Sequence, residues 1–239
     1  EAIHKNLKNE IIVANTLQKI KLSGDLTFCP VVQSVPIWDD CTLVFETPEG
    51  TIVDVNDMKI INTDFEWIKE NFKIDHLFIQ YSGANWHPMT YDYSHDKKVE
   101  IAKHKIMTKF HHVKELFLDS GAKSLIPCAG PPCFLDDEHF YLNFSDESVF
   151  PDQAKFYDYV KKEGFADRTF ILMPGDTFEA NQDPVLISEK NLQREEFTKK
   201  REYLEKYKAR RDTIIKKTLS SIEMPQESQL NKAKEHFEP

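Results

Sequence analysis

Apolar and polar side chains alternate along several short segments of the chain, and a period of two is typical of strands. The segments that show this period, or that are short apolar runs beside turn residues, are 11–14, 26–32, 42–46, 51–55, 74–81, 124–127 and 169–173. Between 42–46 and 51–55 the sequence has Pro48, which presets one turn dihedral, and Gly50, which tolerates positive φ. We therefore predict a hairpin at this point.

A period of three to four residues marks the helices. Residues 97–120 form the clearest one, because Gly121 stands in the usual position after a helix C-terminus. Its apolar stripe is Val99, Ala102, Ile106, Phe110, Val113 and Phe117. Shorter helices are predicted behind a cap at Asn62 or Thr63 and over 151–163, which starts with a proline and is followed by a glycine.

The order of these elements predicts the fold class. Strands come first, and helices then alternate with strands, which is typical of a layered α/β domain with a mixed sheet and flanking helices. From residue 188 to 220 the charge becomes dense and the apolar residues sparse, as in a long amphipathic helix that packs on the domain or meets a partner. We expect a domain at 1–185 and a helical C-terminal extension at 186–239.

Two loops hold the candidate chemistry. SGANWHPMTY at 82–91 follows the predicted strand 74–81, and CAGPPCFLDDEH at 128–139 follows the predicted strand 124–127. The packing of a hydrophobic core does not explain why amide, indole, imidazole, phenol and carboxylate groups occur together in these loops. Dense loops at neighbouring strand ends predict one site on the edge of a sheet.

Charge and cysteine content exclude several classes of protein. The net charge of −9 argues against broad nucleic-acid binding. No apolar run approaches the roughly 20 residues that span a bilayer, so no membrane partner is expected. The four cysteines form no C-x-x-C or C-x-H pair, which argues against a disulfide framework, a structural zinc or a Rieske cluster made within this chain. We expect a cytoplasmic location.

Each candidate residue, taken alone, has an ordinary structural alternative. Asp57 at a strand end could bind a metal, but aspartate is also common in turns and helix caps. His87 could bind a metal or transfer protons, but single loop histidines are mostly surface residues. The acids 136–138 could serve a metal or cap the next element. Histidines 104, 111 and 112 in the predicted helix are interpreted as surface or boundary residues.

The order and spacing of the motifs resemble one branch of the metallo-β-lactamase superfamily. These motifs are VNDMK at 55–59, FIQYSGANWHPMTY at 78–91, LIPCAGPPCFLDDEH at 125–139, FPDQ at 150–153 and LMPGDT at 172–177. The branch is that of CMP-N-acetylneuraminate hydroxylase and bacterial relatives, in which a Rieske domain precedes a metallo-β-lactamase-like domain. The resemblance covers roughly residues 10–180 and implies a layered mixed sheet of that type.

The resemblance also implies roles for particular residues. It implies that Asp57 holds a metal, iron or zinc. We add His139, from the 136–139 cluster, as a second candidate ligand, and His87 and Asp136 as candidate catalytic residues. The resemblance explains His87 least. The substrate-binding residues would be Ser82, Gly83, Asn85, Trp86, Tyr91 and Gly130. A 2Fe-2S cluster is expected only if a Rieske domain lies upstream.

The sequence departs from the family at its main metal motif. H-x-H-x-D-H is absent from the printed chain, and residues 33–36 hold no histidine where the family has its next one. Three explanations stay open. The chain could be a C-terminal portion completed by an N-terminal fragment or domain, which we favour. It could have lost the metal, or it could bind metal through Asp57, His87 and the 136–139 cluster.

Three functions follow from this reading. The first is part of a metal-dependent oxidoreductase, resembling Rieske-linked hydroxylases, that acts on a sugar-nucleotide or another small polar substrate. The second is a metal-dependent hydrolase of the metallo-β-lactamase fold. The third is a metal-free interaction module that uses the helix predicted at 188–220.

Overall fold

The computed structural model describes residues 11–34, 40–83, 85–179 and 183–222. Six strands form one sheet: β1 (Ile20–Ser23), β2 (Leu26–Val32), β3 (Cys41–Thr47), β4 (Gly50–Asp54), β5 (His76–Gln80) and β6 (Ser124–Cys128). The described helices are α1 (Asn62–Asn71), α2 (His95–Ser120), α3 (Gln153–Glu163), α4 (Pro184–Leu192), α5 (Glu195–Thr198) and α6 (Lys200–Ser221). Short 3-10 turns lie at Phe140–Asn143 and Ala166–Arg168.

The strands are ordered in the sheet as they are in the chain. Strands β1 to β4 pair antiparallel, and β4, β5 and β6 pair parallel. The predicted hairpin joins β3 and β4, where the Thr47 hydroxyl oxygen accepts from the backbone N–H of Glu49 and of Gly50 at 3.2 and 3.3 Å. The predicted mixed α/β architecture with flanking helices is confirmed.

One face of the sheet packs against helices α1, α2 and α3 in a single buried cluster. Val44, Val53, Leu77 and Leu125 stand in register across β3 to β6 and are fully buried. The helices add their own fully or almost fully buried side chains: Phe65, Ile68, Phe110, Val113, Phe117, Phe156 and Val160. Burial of this apolar surface is the main force that fixes the helices on the sheet.

The opposite face of the sheet is also apolar. Phe28 and Phe45 are paired across β2 and β3, with ring centroids 5.4 Å apart, and Ile52 is paired with Phe45 across β3 and β4. All three are half-buried. The two sides of the sheet are therefore unequally covered.

Helix ends follow the local sequence. Gly121 ends α2 in the left-handed region with φ 66°, as predicted. Asp152 caps α3 by accepting from the backbone N–H of Lys155, so α3 begins two residues after Pro151. Helix α1 differs from the prediction, because its N-cap is Ile61 and no side chain caps it.

Two predicted strands are wrong. Residues 11–14 have no regular secondary structure, and 169–173 contribute one isolated parallel bridge, between Leu125 and Thr169. The reason lies in α4, whose Ser188 hydroxyl accepts from the backbone N–H of Ile171 and whose Asn191 amide donates to the Ile171 carbonyl. The side chains of α4 thus hydrogen-bond to the backbone N–H and C=O of Ile171, the groups that would otherwise pair with a neighbouring strand.

The long C-terminal helix is confirmed as α6, but it begins at Lys200 and not at residue 188. Residues 184–198 form the shorter helices α4 and α5 instead. This break allows Ser188 in α4 and Leu204 in α6 both to be buried. The boundary expected at residue 185 falls inside α4. None of the helices in the described ranges has the length and apolar character that crossing a membrane requires.

Candidate functional site

A cleft of about 870 Å³ lies beyond the carboxyl ends of β4 and β5. The loop after β4 contributes Asp57 and Lys59, and β5 contributes its last residue, Gln80. The loop after β5 contributes a larger share: Tyr81, Gly83, Asn85, Trp86, His87, Thr90 and Tyr91. Helix α2 forms most of the remaining wall, and Asp40, Val149 and Pro151 complete the lining. Parallel strands direct their carboxyl ends to one edge, where a crevice opens between the loops, so the topology itself places the cleft here.

The cleft brings together most of the predicted site residues. Those that line it are Asp57, Gly83, Asn85, Trp86, His87 and Tyr91. Two more, Ser82 and Gly130, lie beside each other, and Ser82 is fully buried. Asp136 and His139 are not among the lining residues. The roles assigned to all ten residues stay predictions, since a position in a cleft does not define a role.

The loop 82–91 is held in shape by its own contacts. The backbone N–H of His87 donates to the Asn85 side-chain oxygen at 2.8 Å. The Trp86 ring packs edge-on against Phe134 and Phe150, with centroids 5.3 and 5.8 Å apart, yet it is 47% exposed. Trp86 therefore offers a fixed aromatic surface to the cleft.

His87 lies among aromatic rings. Its imidazole is edge-on to Tyr91, with centroids 4.7 Å apart, and to Tyr93 at 5.8 Å. The backbone carbonyl of His87 accepts a hydrogen bond from Lys105 Nζ at 2.7 Å. Lys105 thereby connects the loop to α2 across the cleft.

Helix α2 contributes residues that the sequence reading missed. His104, Lys105, Thr108, Lys109 and His112 all line the cleft. His104 and His111 are exposed and His112 is half-buried, in agreement with their interpretation as surface or boundary residues, but His104 and His112 also line the cleft. Their spacing of three and four was the available signal, because it forms a polar stripe beside the apolar one.

Burial lowers the pKa of several cationic groups in this wall. It lowers the pKa of Lys105. It also lowers the pKa of Lys109, where the charge of Lys59 acts in the same direction and Asp57 and Cys128 oppose the shift. Burial and the charge of Lys109 also lower the pKa of His112. Burial therefore disfavours the charged form of all three groups.

The acidic run at the end of the second loop faces α6. Asp136 pairs with Arg211 at 3.2 Å, and Asp137 pairs with Lys208 at 3.1 Å. His139 is exposed, and its backbone N–H donates to the Asp136 carbonyl. Attraction to the basic residues of α6 explains why this run is directed there and not into the cleft.

Cys128 at the end of β6 is not a reactive thiolate. Burial, with Asp54 and Asp57 adding to it and Lys109 opposing, raises its pKa to about 12. The thiol is therefore protonated at neutral pH.

The described residues do not fit an iron or zinc centre. No three His, Cys, Asp or Glu side chains within the described ranges group closely enough to hold a metal ion. Asp57 lies in the cleft with three lysines, whose charge opposes a bound cation, and His139 is outside it. No chemical step is therefore assigned to a metal here.

Comparison with known proteins gives similarity to Rieske proteins. No protein-family profile matches the chain. It is 33% identical over 141 residues to a protein of Mycobacterium tuberculosis named as a Rieske 2Fe-2S iron-sulfur protein, covering 58% of this chain and 27% of the relative. A protein of that name from Mycolicibacterium smegmatis is 33% identical over 142 residues, covering 58% and 26%. The chain thus spans about a quarter of the length of these relatives.

One solved structure is also similar in part. Igni18, a metallo hydrolase from the hyperthermophilic archaeon Ignicoccus hospitalis, aligns with a TM-score of 0.42 and 15% identity, over 74% of this chain and 64% of its own.

Proposed function

We propose that this chain is the substrate-binding part of a Rieske-linked oxidoreductase and that the cleft beyond β4 and β5 holds the substrate. One observation carries the proposal: the cleft combines an aromatic wall, Trp86, with titratable groups from three separate elements. Pockets of this volume and composition are the usual sites of small-molecule binding. The similarity to Rieske proteins over 58% of the chain supports the oxidoreductase class.

The proposed substrate is a sugar-nucleotide or another small polar molecule. Trp86 would form an apolar wall for its ring, and His87 would hold or move a proton at a substrate hydroxyl. Tyr91 and Tyr93 keep the imidazole of His87 in place through their ring contacts. Asp136 is left out, because its carboxylate is paired with Arg211.

In this proposal a separate Rieske domain carries the 2Fe-2S cluster, since the four cysteines of the printed chain form no C-x-H pair. The gene sequence that encodes the surrounding protein tests this part. A C-x-H and a C-x-x-H motif in the same polypeptide or in an adjacent gene would support it. A complete gene neighbourhood with neither motif would contradict it.

Binding to the cleft is tested by calorimetry with a set of sugar-nucleotides and small polar metabolites. We expect at least one ligand to bind the wild-type chain and to bind Trp86→Ala and His87→Ala at least about tenfold more weakly. Tyr141→Ala is the matched control, because Tyr141 is a 54% exposed aromatic residue outside the cleft. A ligand that binds all four proteins equally would place the site elsewhere.

A further inference from the structure

The wall that α2 gives to the cleft is rich in positive charge. Lys105 and Lys109 are one turn apart and therefore on the same side of the helix, and Lys59 joins them from the loop after β4. The acids that line the cleft are Asp40 and Asp57. This concentration of lysine is unexpected in a chain whose net charge is −9.

The two lysines of α2 have no carboxylate partner in the described part of the chain. Neither Lys105 nor Lys109 is in an ion pair there, whereas lysines elsewhere, such as Lys200 with Asp152 at 2.9 Å, are paired. Lys105 donates to the backbone carbonyl of His87. Because this carbonyl is neutral, the hydrogen bond does not balance the charge of Lys105. Like charges four residues apart in a helix repel each other, and partial burial increases that repulsion.

An anion in the cleft would remove this repulsion. The side chains that line the cleft favour a tetrahedral anion such as phosphate over a planar carboxylate. Carboxylate is best recognised by the planar fork of arginine, and no arginine is among the described residues that line the cleft. Lysine binds phosphate as a point charge, and several lysines from different directions can share its oxygens. The imidazole of His112, one turn beyond Lys109, is a further donor on the same wall.

We propose that Lys105, Lys109 and Lys59 form a binding site for a phosphoryl group of the substrate. This inference rests on the proposed function, because it assumes that the cleft holds the substrate. It adds the orientation: the phosphoryl group lies against α2, and the rest of the molecule lies toward Trp86.

Calorimetric titration with inorganic phosphate and with pyrophosphate, at constant ionic strength, tests the site. We expect saturable binding to the wild-type chain and at least about tenfold weaker binding to Lys105→Gln and to Lys109→Gln. Lys103→Gln is the matched control, since Lys103 is on the same helix but exposed and outside the cleft. Asp57→Asn should bind phosphate more tightly, because it removes a negative charge from the lining.

A chemical probe gives a second readout that does not depend on the variants folding. Pyridoxal 5′-phosphate forms an imine with a lysine amine beside a phosphate site, with loss of water, and borohydride fixes it. We expect mass spectrometry to find the label on Lys105 or Lys109 of the wild-type chain, and pyrophosphate to protect these residues. Equal labelling of surface lysines such as Lys103 would contradict the proposal.

The two proposals can fail separately. If neither phosphate nor pyrophosphate binds the wild-type chain, or if both bind Lys105→Gln and Lys109→Gln unchanged, the phosphoryl site is wrong. A phosphate-free ligand whose binding depends on Trp86 and His87 but not on these lysines would then leave the proposed function standing. Phosphate binding that depends on the lysines, with no organic ligand sensitive to Trp86→Ala, would support the anion site and contradict the proposed substrate cleft.

Discussion

A Cβ atom on Gly130 would lie 2.6 Å from the Cβ of Ser82. These residues belong to the two dense loops that follow β5 and β6, and the loops therefore touch at a point where a side chain on one of them would collide with the other. The Tyr81 hydroxyl fixes the same contact by donating to the Gly130 carbonyl at 3.1 Å. This close approach therefore fixes the position of one loop relative to the other.

Gly130→Ala should destabilise the fold, because the added methyl group must displace the buried Ser82. We expect a loss of about 1–3 kcal/mol in the free energy of unfolding, measured by urea denaturation. Gly83→Ala is the matched control in the neighbouring loop, since its Cβ would meet the Val149 carbonyl oxygen at an ordinary 3.7 Å. If both variants have the same free energy of unfolding, Ser82 moves aside at no measurable cost and the prediction is wrong.

Ser188→Ala should show that α4 belongs to the domain. The Ser188 hydroxyl donates to the Thr169 carbonyl at 2.7 Å and accepts from the Ile171 N–H at 3.1 Å, and both Ser188 and Ile171 are buried. Without the Ser188 hydroxyl, the buried backbone N–H of Ile171 has no hydrogen-bond partner, which lowers the free energy of unfolding by about 1–3 kcal/mol. Ser221→Ala, at an exposed serine bonded within α6, is the control. No difference between them would support a separable extension after residue 185.

Asp75 should make stability depend on acid pH. Burial alone would raise the pKa of its carboxyl, but Lys123 at 2.8 Å and the backbone N–H of Thr51 at 3.1 Å outweigh it and hold the pKa below its ordinary value. A depressed folded-state pKa gives stability above the unfolded pKa of about 4, and this stability is lost as pH falls through the folded value. Urea denaturation should show wild type more stable than Asp75→Asn at pH 6. The difference in free energy of unfolding between the two proteins should be smaller at pH 3. A difference that does not change with pH would contradict the lowered pKa of Asp75.

The cysteines should differ in reactivity. With its pKa raised to about 12 the Cys128 thiol stays protonated at pH 8, and only the small thiolate fraction can attack iodoacetamide. Cys133 is exposed and should be alkylated first in the folded chain. Peptide mass spectrometry over time measures the order, and alkylation in urea should abolish the difference. Early labelling of Cys128 in the folded chain would contradict its burial.

Local sequence determined the elements that were predicted well. The hairpin between β3 and β4 follows from Pro48 and Gly50, and α2 follows from its apolar stripe and from Gly121, all within a few residues of the element concerned. The dense loop 82–91 lines the cleft, as predicted, but the second loop, 128–139, contributes none of its lining residues. These features need no knowledge of distant contacts.

Distant contacts decided what the sequence did not predict. The backbone of Ile171 is satisfied by α4, 17 residues further along, so 169–173 is not a strand. Asp136 is attracted to Arg211, 75 residues away, and is therefore directed out of the cleft. Lys105 and Lys109 become site residues only once α2 is placed against the loop after β5.

Each strand of the sheet pairs with the strand that precedes it in the chain. Among the six described strands, the growing edge of the sheet is thus the most recently made strand, and none of them has to be inserted between two earlier ones. A chain that leaves the ribosome from its N-terminal side can therefore build this sheet in the order of synthesis. The lining of the cleft would be completed only when Val149 and Pro151, which follow β6 in the chain, have emerged.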